Sequence, residues 1–338
     1  MKNIYPQWKH WPADRTAIIA EVGMNHGGDE SLAWEMIRAA HESGADFVKL
    51  QSYVTASFFH PSLPYYHSTK SMELSFAAQD RLFRKAKAKQ IALITTPYDS
   101  ESYDFVAKFR PLCYKIASMD NDNYPLIRQV AKSNAPILVS TGMAGISEIK
   151  RLVSVIKKTG NNKFILLHCV SEYPPKPQNM RLAWLARLKK LFDCFVGLSD
   201  HSISLESSQI AISLGVSVVE KHFTIDRKLR NKFPNADHEI SVEPDELRQL
   251  RNFSESVPKF MGELLTPLSK MPEKIIMASR RGIYAKRKIL AGERLTLENT
   301  VFLRPVKGIS VSKWDLIVGR KVNKDIDKLS PLRLRDLK

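Results

Sequence analysis

Between residues 17 and 221 the chain repeats one pattern eight times: a short apolar run, then a longer and more polar stretch. The runs cover 17–23, 46–51, 91–95, 113–116, 136–139, 164–168, 194–198 and 217–221. Several are almost wholly apolar inside, as parallel strands covered on both faces must be. Helical spacing marks 31–43, 74–89, 145–159, 205–214 and, after the last run, 243–259. Eight β/α units in roughly 250 residues predict an α/β chain closed into a (β/α)8 TIM barrel. The rival fold, an open doubly wound sheet, calls for a glycine-rich phosphate loop after its first strand, and no such pattern follows 17–23. The barrel is assigned to 1–262. Gly262, Pro267 and Pro272 mark a linker over 263–279, leaving 280–338 as a small C-terminal domain.

A barrel enzyme builds its site from residues at the C-terminal ends of its strands. Here every end is polar or ionisable. The first delivers Glu21, followed by Gly23-Met24-Asn25-His26-Gly27-Gly28-Asp29. The second ends in Lys49 and Gln51, and the third in Thr95-Thr96-Pro97-Tyr98-Asp99. After the fourth come Lys115, Ser118, Asp120 and Asn123. The fifth brings Ser140, Thr141 and Gly142; the sixth His168, Ser171 and Tyr173. The seventh ends in Ser199-Asp200-His201, the eighth in Glu220-Lys221-His222. A purely structural barrel needs apolar layers at such positions.

Lys49 and Lys115 lie inside apolar runs, and a buried ammonium needs a counter-charge, so an anionic ligand is expected there. His201 and His222 end adjacent strands, close enough to share one metal ion. His26, His168 and His238 read as hydrogen-bonding supports. Two lysines, hydroxyls and backbone amides can hold a small molecule carrying phosphate and carboxylate, while a divalent ion on two histidines polarises a carbonyl. The implied chemistry is attack of an anion-bearing carbon nucleophile on that carbonyl. A Schiff-base aldolase using Lys49 or Lys115 is the competing chemistry, and it has no need of the two histidines.

Net charge poses a separate question. The 338 residues hold 52 Lys+Arg against 35 Asp+Glu, for +17. Residues 280–338 contribute 16 basic and 6 acidic residues, net +10; the first 279 contribute 36 and 29, net +7. A basic binding protein with an inactive barrel would use such a tail. Yet the tail carries no nucleic-acid motif, and Tyr284, Phe302 and Trp314 are too sparse for base stacking. No nucleic-acid partner is expected. No apolar run approaches the roughly 20 residues of a membrane helix, and 1–11 has no signal-peptide core. Cys113, Cys169 and Cys194 read as reduced core thiols, so a cytoplasmic location is expected.

These segments resemble the N-acetylneuraminate (sialic acid) synthase family, which includes legionaminic and pseudaminic acid synthases. The likeness runs through Ile18-Ile19-Ala20-Glu21-Val22-Gly23-Met24-Asn25-His26, Val48-Lys49-Leu50-Gln51, Thr96-Pro97-Tyr98-Asp99, Tyr114-Lys115-Ile116-Ala117-Ser118, Ser140-Thr141-Gly142-Met143, Gly197-Leu198-Ser199-Asp200-His201 and Glu220-Lys221-His222-Phe223-Thr224. It continues through Arg281-Gly282-Ile283-Tyr284-Ala285 and Leu303-Arg304-Pro305, which look like the family's antifreeze-like (SAF, β-clip) domain. The resemblance implies condensation of phosphoenolpyruvate with an open-chain N-acylated hexosamine, giving a nine-carbon 2-keto sugar acid and phosphate. It implies a divalent ion, Mn2+ or Mg2+, on His201 and His222, and phosphoenolpyruvate held by Lys49, Lys115, Ser118, Ser140 and Ser199. Glu21 matches a carboxylate near the reacting centre. Arg304 matches an arginine that crosses a domain-swapped homodimer to the neighbouring site. Gln51, Thr96 and Tyr173 are grouped with the substrate-binding residues. Three departures fall on the sugar side. Asp120 stands where the sialic acid branch usually has Glu, and Ser171 where it often has Asn. Asp237, in Asn235-Ala236-Asp237, replaces a Gly-Pro-Asp motif and follows a longer loop.

Overall fold

Backbone hydrogen bonding extends past most of the apolar runs. In the computed structural model, which describes residues 11–12, 14–262 and 271–338, eight strands form a closed parallel barrel in sequence order. They are β1 (Ala17–Gly23), β2 (Phe47–Ser52), β3 (Leu93–Pro97), β4 (Tyr114–Ile116), β5 (Ile137–Ser140), β6 (Phe164–Cys169), β7 (Phe195–Asp200) and β8 (Val218–His222). All but β1 and β4 end one or two residues beyond the apolar run, because the ladder is made by the backbone and continues through polar positions. Thus Gln51 pairs with Thr96 and Ser199 with Glu220. The ring closes where β1 meets β8, with Glu21 opposite His222.

The helices Glu30–Glu42, Phe76–Ala88, Ile146–Lys157, Glu206–Ser213 and Pro244–Met261 occupy the five helical stretches. Ser100–Ala107, Tyr124–Lys132 and Trp184–Phe192 supply the remaining crossovers. Side chains at rim positions start several of them: Asp29 accepts from the amides of Ser31 and Leu32, and Asp99 from that of Ser102, satisfying donors that a first helical turn leaves free.

Alternation along each strand sorts side chains into two cores. Ile18, Ala20, Val22, Val48, Leu50, Val139 and Val219 face the helices. Ala17, Ile19, Phe47, Ile94, Cys113, Leu138, Ile165, Leu167 and Val218 fill the barrel interior, with Trp11 packed on Phe47. Two residues further along the same inward rows come Glu21, Lys49, Thr96, Lys115, Ser140, Cys169 and Glu220. The apolar plug therefore forms the floor of a polar mouth.

Not every polar strand end faces the mouth. Asp200 and Lys221 are register partners on the outward rows. There the Lys221 Nζ lies 3.1 Å from Asp200 Oδ2, both side chains fully buried. Ser207 and Ser208 donate to the same carboxylate at 2.6 and 2.5 Å, and Lys221 donates to the carbonyls of Ser202 and Ser204. The charges are thus paired and hydrogen-bonded, as deep burial demands.

The chain divides into units Met1–Gly262 and Glu263–Lys338. Within 263–279, read from sequence as a linker, residues 271–279 are described and form a helix at Glu273–Ser279 following Pro272; residues 263–270 lie outside the described residues. The second unit has its own core of Ile283, Ala285, Ile289, Leu295, Ile309, Ile317, Val322, Ile326, Leu332 and Leu337. An antiparallel pair, β9 (Gly282–Ala285) and β10 (Thr300–Leu303), runs through it.

Candidate active site at the barrel mouth

The inward rows bring two lysines and two carboxylates into one buried cluster. Lys49 Nζ lies 2.6 Å from Glu21 Oε2 and 3.8 Å from Glu220 Oε2, and donates to Thr96 Oγ1 at 3.1 Å. Lys115 Nζ lies 3.4 Å from Glu220 Oε1, which also accepts from Ser199 Oγ at 2.9 Å. Gln51 Nε2 donates to Glu21 Oε1 at 3.1 Å. Glu220 therefore bridges both lysines. Sequence reasoning placed it at the end of β8 without giving it a role; its two-residue offset from His222 was the available signal, since i and i+2 share a face.

Burial and pairing act against each other here. Burial pushes the Glu21 carboxyl up to about 7, despite Lys49 nearby and with Glu220 adding repulsion. Burial alone would raise Glu220 too, but Lys115, Lys49 and the Ser199 hydroxyl together pull it below the usual range. Burial depresses the Lys115 ammonium, offset in part by Glu220. The mouth can thus hold a proton near neutral pH while keeping cationic groups for an anion.

A second cluster lines the β4–β6 side. The Gly142 amide donates to Ser118 Oγ at 3.1 Å. A Cβ on Gly142 would fall 2.7 Å from Ser118 Oγ and 2.5 Å from Ser171 Oγ, so only a bare α-carbon lets both hydroxyls approach. Ser140 Oγ is buried without a hydrogen-bond partner, as is Asp120 Oδ2. Asp120 Oδ1 accepts from Asn123 Nδ2 at 3.1 Å, and burial raises its carboxyl. Ser171 is exposed and shares a cavity of about 380 Å3 with Cys169, Met143, Arg181 and Trp184.

The histidines form the third cluster. The His201 and His222 rings are 5.4 Å apart. Tyr173 stacks on His201 at 4.0 Å, with its hydroxyl 3.0 Å from Nε2. On the other edge, His201 Nδ1 is 2.8 Å from the Val170 carbonyl, so Nδ1 is the donor there and Nε2 carries the lone pair whenever the ring is neutral. Burial opposes the His201 cation, but Cys169, 3.9 Å from Nδ1, and the Val170 carbonyl outweigh it and raise the imidazole. Burial, then the charges of His201 and Lys49, hold His222 well below the usual histidine range. Its Nδ1 has no hydrogen-bond partner and lies 3.6 Å from Asp237 Oδ2. A neutral orphaned imidazole, a second one oriented by a backbone carbonyl and a carboxylate alongside suit a divalent cation. Among the described residues no group of three such side chains already stands in ligand geometry, so other positions would fall to solvent or substrate.

Three further histidines, His168, His238 and His26, make supporting hydrogen bonds. His168 Nε2 meets the Met180 carbonyl at 2.6 Å, and His238 Nδ1 meets Thr224 Oγ1 at 2.9 Å. His26 Nδ1 accepts from the Gly28 amide. Arg304 lies in the second unit, exposed and directly after β10. Among the described residues no helix is long and apolar enough to cross a membrane.

Known proteins carry the same two-part pattern. A model described as the NeuB family matches residues 36–265, and one described as the SAF domain matches 280–338. The N,N'-diacetyllegionaminic acid synthase of Campylobacter jejuni is 35% identical, over 92% of this chain and 97% of that protein. A pseudaminic acid synthase of the same species is 29% identical, over 95% and 96%. Among solved structures, the N-acetylneuraminic acid (sialic acid) synthetase of Leptospira borgpetersenii superposes with a TM-score of 0.73 at 34% identity, covering 78% of this chain and 91% of that one.

Proposed function

The chain belongs to the NeuB family, and from that premise we propose that it condenses phosphoenolpyruvate with an open-chain N-acylated hexosamine. The products are a nine-carbon 2-keto sugar acid and inorganic phosphate. One observation carries the reading: two buried lysines, on β2 and β4 and bridged by Glu220, share the mouth with His201 and His222 at the ends of β7 and β8. Nothing in a merely structural barrel calls for both.

In this reading Lys49 and Lys115 hold the phosphate and carboxylate of phosphoenolpyruvate, with Ser118, Ser140, Ser199, Thr96 and Gln51 as hydrogen-bonding partners. At an effective dielectric near 20, each contact at 4 Å is worth roughly 4 kcal/mol before desolvation. Asp120, Ser171, Tyr173 and Asp237 face the sugar. A divalent ion, Mn2+ or Mg2+, held by His201 and His222, supplies Lewis-acid polarisation of the aldehyde when bound. The methylene carbon of phosphoenolpyruvate bonds to the aldehyde carbon, whose oxygen takes a proton. Water adds at the adjacent carbon and loses one proton, and the C–O bond to phosphate breaks as the new hydroxyl passes its remaining proton to the leaving phosphate, leaving the ketone. The aldehyde oxygen gains the proton that water gives up, and in this reading Glu21, its carboxyl raised to about 7, moves it. Arg304 would reach the neighbouring mouth in a domain-swapped homodimer.

The test is phosphate release from phosphoenolpyruvate with a panel of mono- and di-N-acylated hexosamines, with and without Mn2+. Metal-dependent release that requires a sugar is expected. Folded, metal-loaded protein that releases none with any sugar would sink the reading. Borohydride trapping of a covalent substrate adduct on Lys49 or Lys115 would establish the imine chemistry instead.

A further inference from the structure

The loop after β8 reaches back to the opposite side of the barrel's closing seam, to the turn after β1. Phe233 swings across to the turn after β1. Gly27 there has φ +57°, and a Cβ on it would fall 2.1 Å from Phe233 Cε1 and 2.2 Å from Cδ1. The ring therefore fills the volume that any other residue at position 27 would occupy. Its ring also lies 6.1 Å from that of the fully buried His238, inclined at 29°.

Phe233 is coupled to Asp237 through the backbone. Its carbonyl accepts from the Ala236 amide at 3.1 Å, closing a tight turn immediately before Asp237. The Asp237 carbonyl accepts from Ser241 Oγ at 2.6 Å. Asn25 Nδ2, two residues before Gly27, donates to the same Ser241 oxygen at 2.9 Å. The carboxylate held between these anchors stands 3.6 Å from His222 Nδ1. The β1 turn grips the β8 loop twice, once by an aromatic plug and once by a hydrogen-bond relay.

We infer that Phe233 is a positioning residue: seated on Gly27, it fixes the loop that presents Asp237 to the acceptor sugar. The inference rests on the proposed role of Asp237 toward the sugar. With phosphoenolpyruvate assigned to the lysine side and Asp237 to the sugar side, loosening this loop should act chiefly on the acceptor.

The experiment compares wild type, Phe233→Ala, Phe233→Leu and Gly27→Ala as full chains with Mn2+. Steady-state kinetics use an acceptor that the wild type turns over. For Phe233→Ala the acceptor KM should rise tenfold or more while the phosphoenolpyruvate KM stays within twofold, and Phe233→Leu should recover most of the loss. Gly27→Ala expels the ring from its seat with Phe233 intact and should give the same split; it decides the matter if Phe233→Ala does not fold. Equal rises in both KM values, or none, would overturn the inference. Hydrogen exchange provides the independent readout: amides of 226–238 should exchange at least tenfold faster in Phe233→Ala, and unchanged exchange there would overturn it as well. Should no sugar serve the wild type, the synthase reading fails by itself, and the exchange data still decide whether the plug holds the loop.

Discussion

Replacing Glu220 by glutamine tests the mouth most directly. Its carboxylate lies 3.4 Å from Lys115 Nζ and 3.8 Å from Lys49 Nζ. At an effective dielectric near 20 those pairs are worth roughly 5 and 4 kcal/mol before desolvation. Lys49 keeps Glu21 at 2.6 Å, so the loss falls chiefly on Lys115, buried and left without a carboxylate at close range. Removing one member of a buried pair costs about 3–5 kcal/mol. In a domain of this size 1 kcal/mol moves Tm by roughly 2–4 °C, so Glu220→Gln should melt roughly 10 °C below wild type at pH 7.5. A trianion entering between the lysines supplies the missing charge, so saturating phosphoenolpyruvate should raise the Tm of Glu220→Gln by several degrees more than that of wild type. Adding Lys115→Met removes the stranded ammonium and should recover part of the loss. Differential scanning fluorimetry with and without phosphoenolpyruvate reads all three. A Glu220→Gln protein melting within 2 °C of wild type, with the same response to phosphoenolpyruvate, would show that the bridge holds no net energy.

Three further outcomes follow from the same geometry. Glu21 is raised from 4.5 to about 7, so its contribution to stability is present below pH 4.5 and lost as pH rises through 7; Glu21→Gln should therefore gain stability relative to wild type between pH 5 and pH 8, and a pH-independent difference in Tm would contradict the assignment. His222→Ala should abolish metal-dependent turnover and weaken Mn2+ binding, read by the electron paramagnetic resonance of the free ion; full retention of both removes His222 from the metal site. If Arg304 acts across a swapped dimer, mixing the inactive variants His222→Ala and Arg304→Ala after subunit exchange should restore about a quarter of wild-type activity, since half the dimers then hold one intact site; no recovery despite verified exchange would place Arg304 within its own protomer.

Barrel, order of units and mouth were legible because burial on both faces forces apolar runs, and each run ends where side chains meet solvent. What alternation decides was harder to see. Glu220, Lys221 and His222 stand together in sequence, but the strand sends the first and third inward and the second toward the helices. Contacts made across the fold left no local trace: Tyr173 stacks on His201 from another loop, and Phe233 reaches Gly27 over 200 residues away in sequence. The helix at Glu273–Ser279 was masked by the proline that precedes it, which reads as linker composition and serves here as the entry to a helix.

The pair Asp200–Lys221 has a consequence beyond its own energy. Because the strand repeat is two, sliding β8 by one residue against β7 would drive an ammonium into the mouth, turn Glu220 and His222 out among the helices, and leave Asp200 buried alone. Buried pairing of this kind would penalise a slip of β8 that scrambles the chemistry. An apolar replacement of both residues would pack the same wall and discard that penalty, and the cost would appear as a fraction of molecules correctly shaped outside and wrongly wired inside.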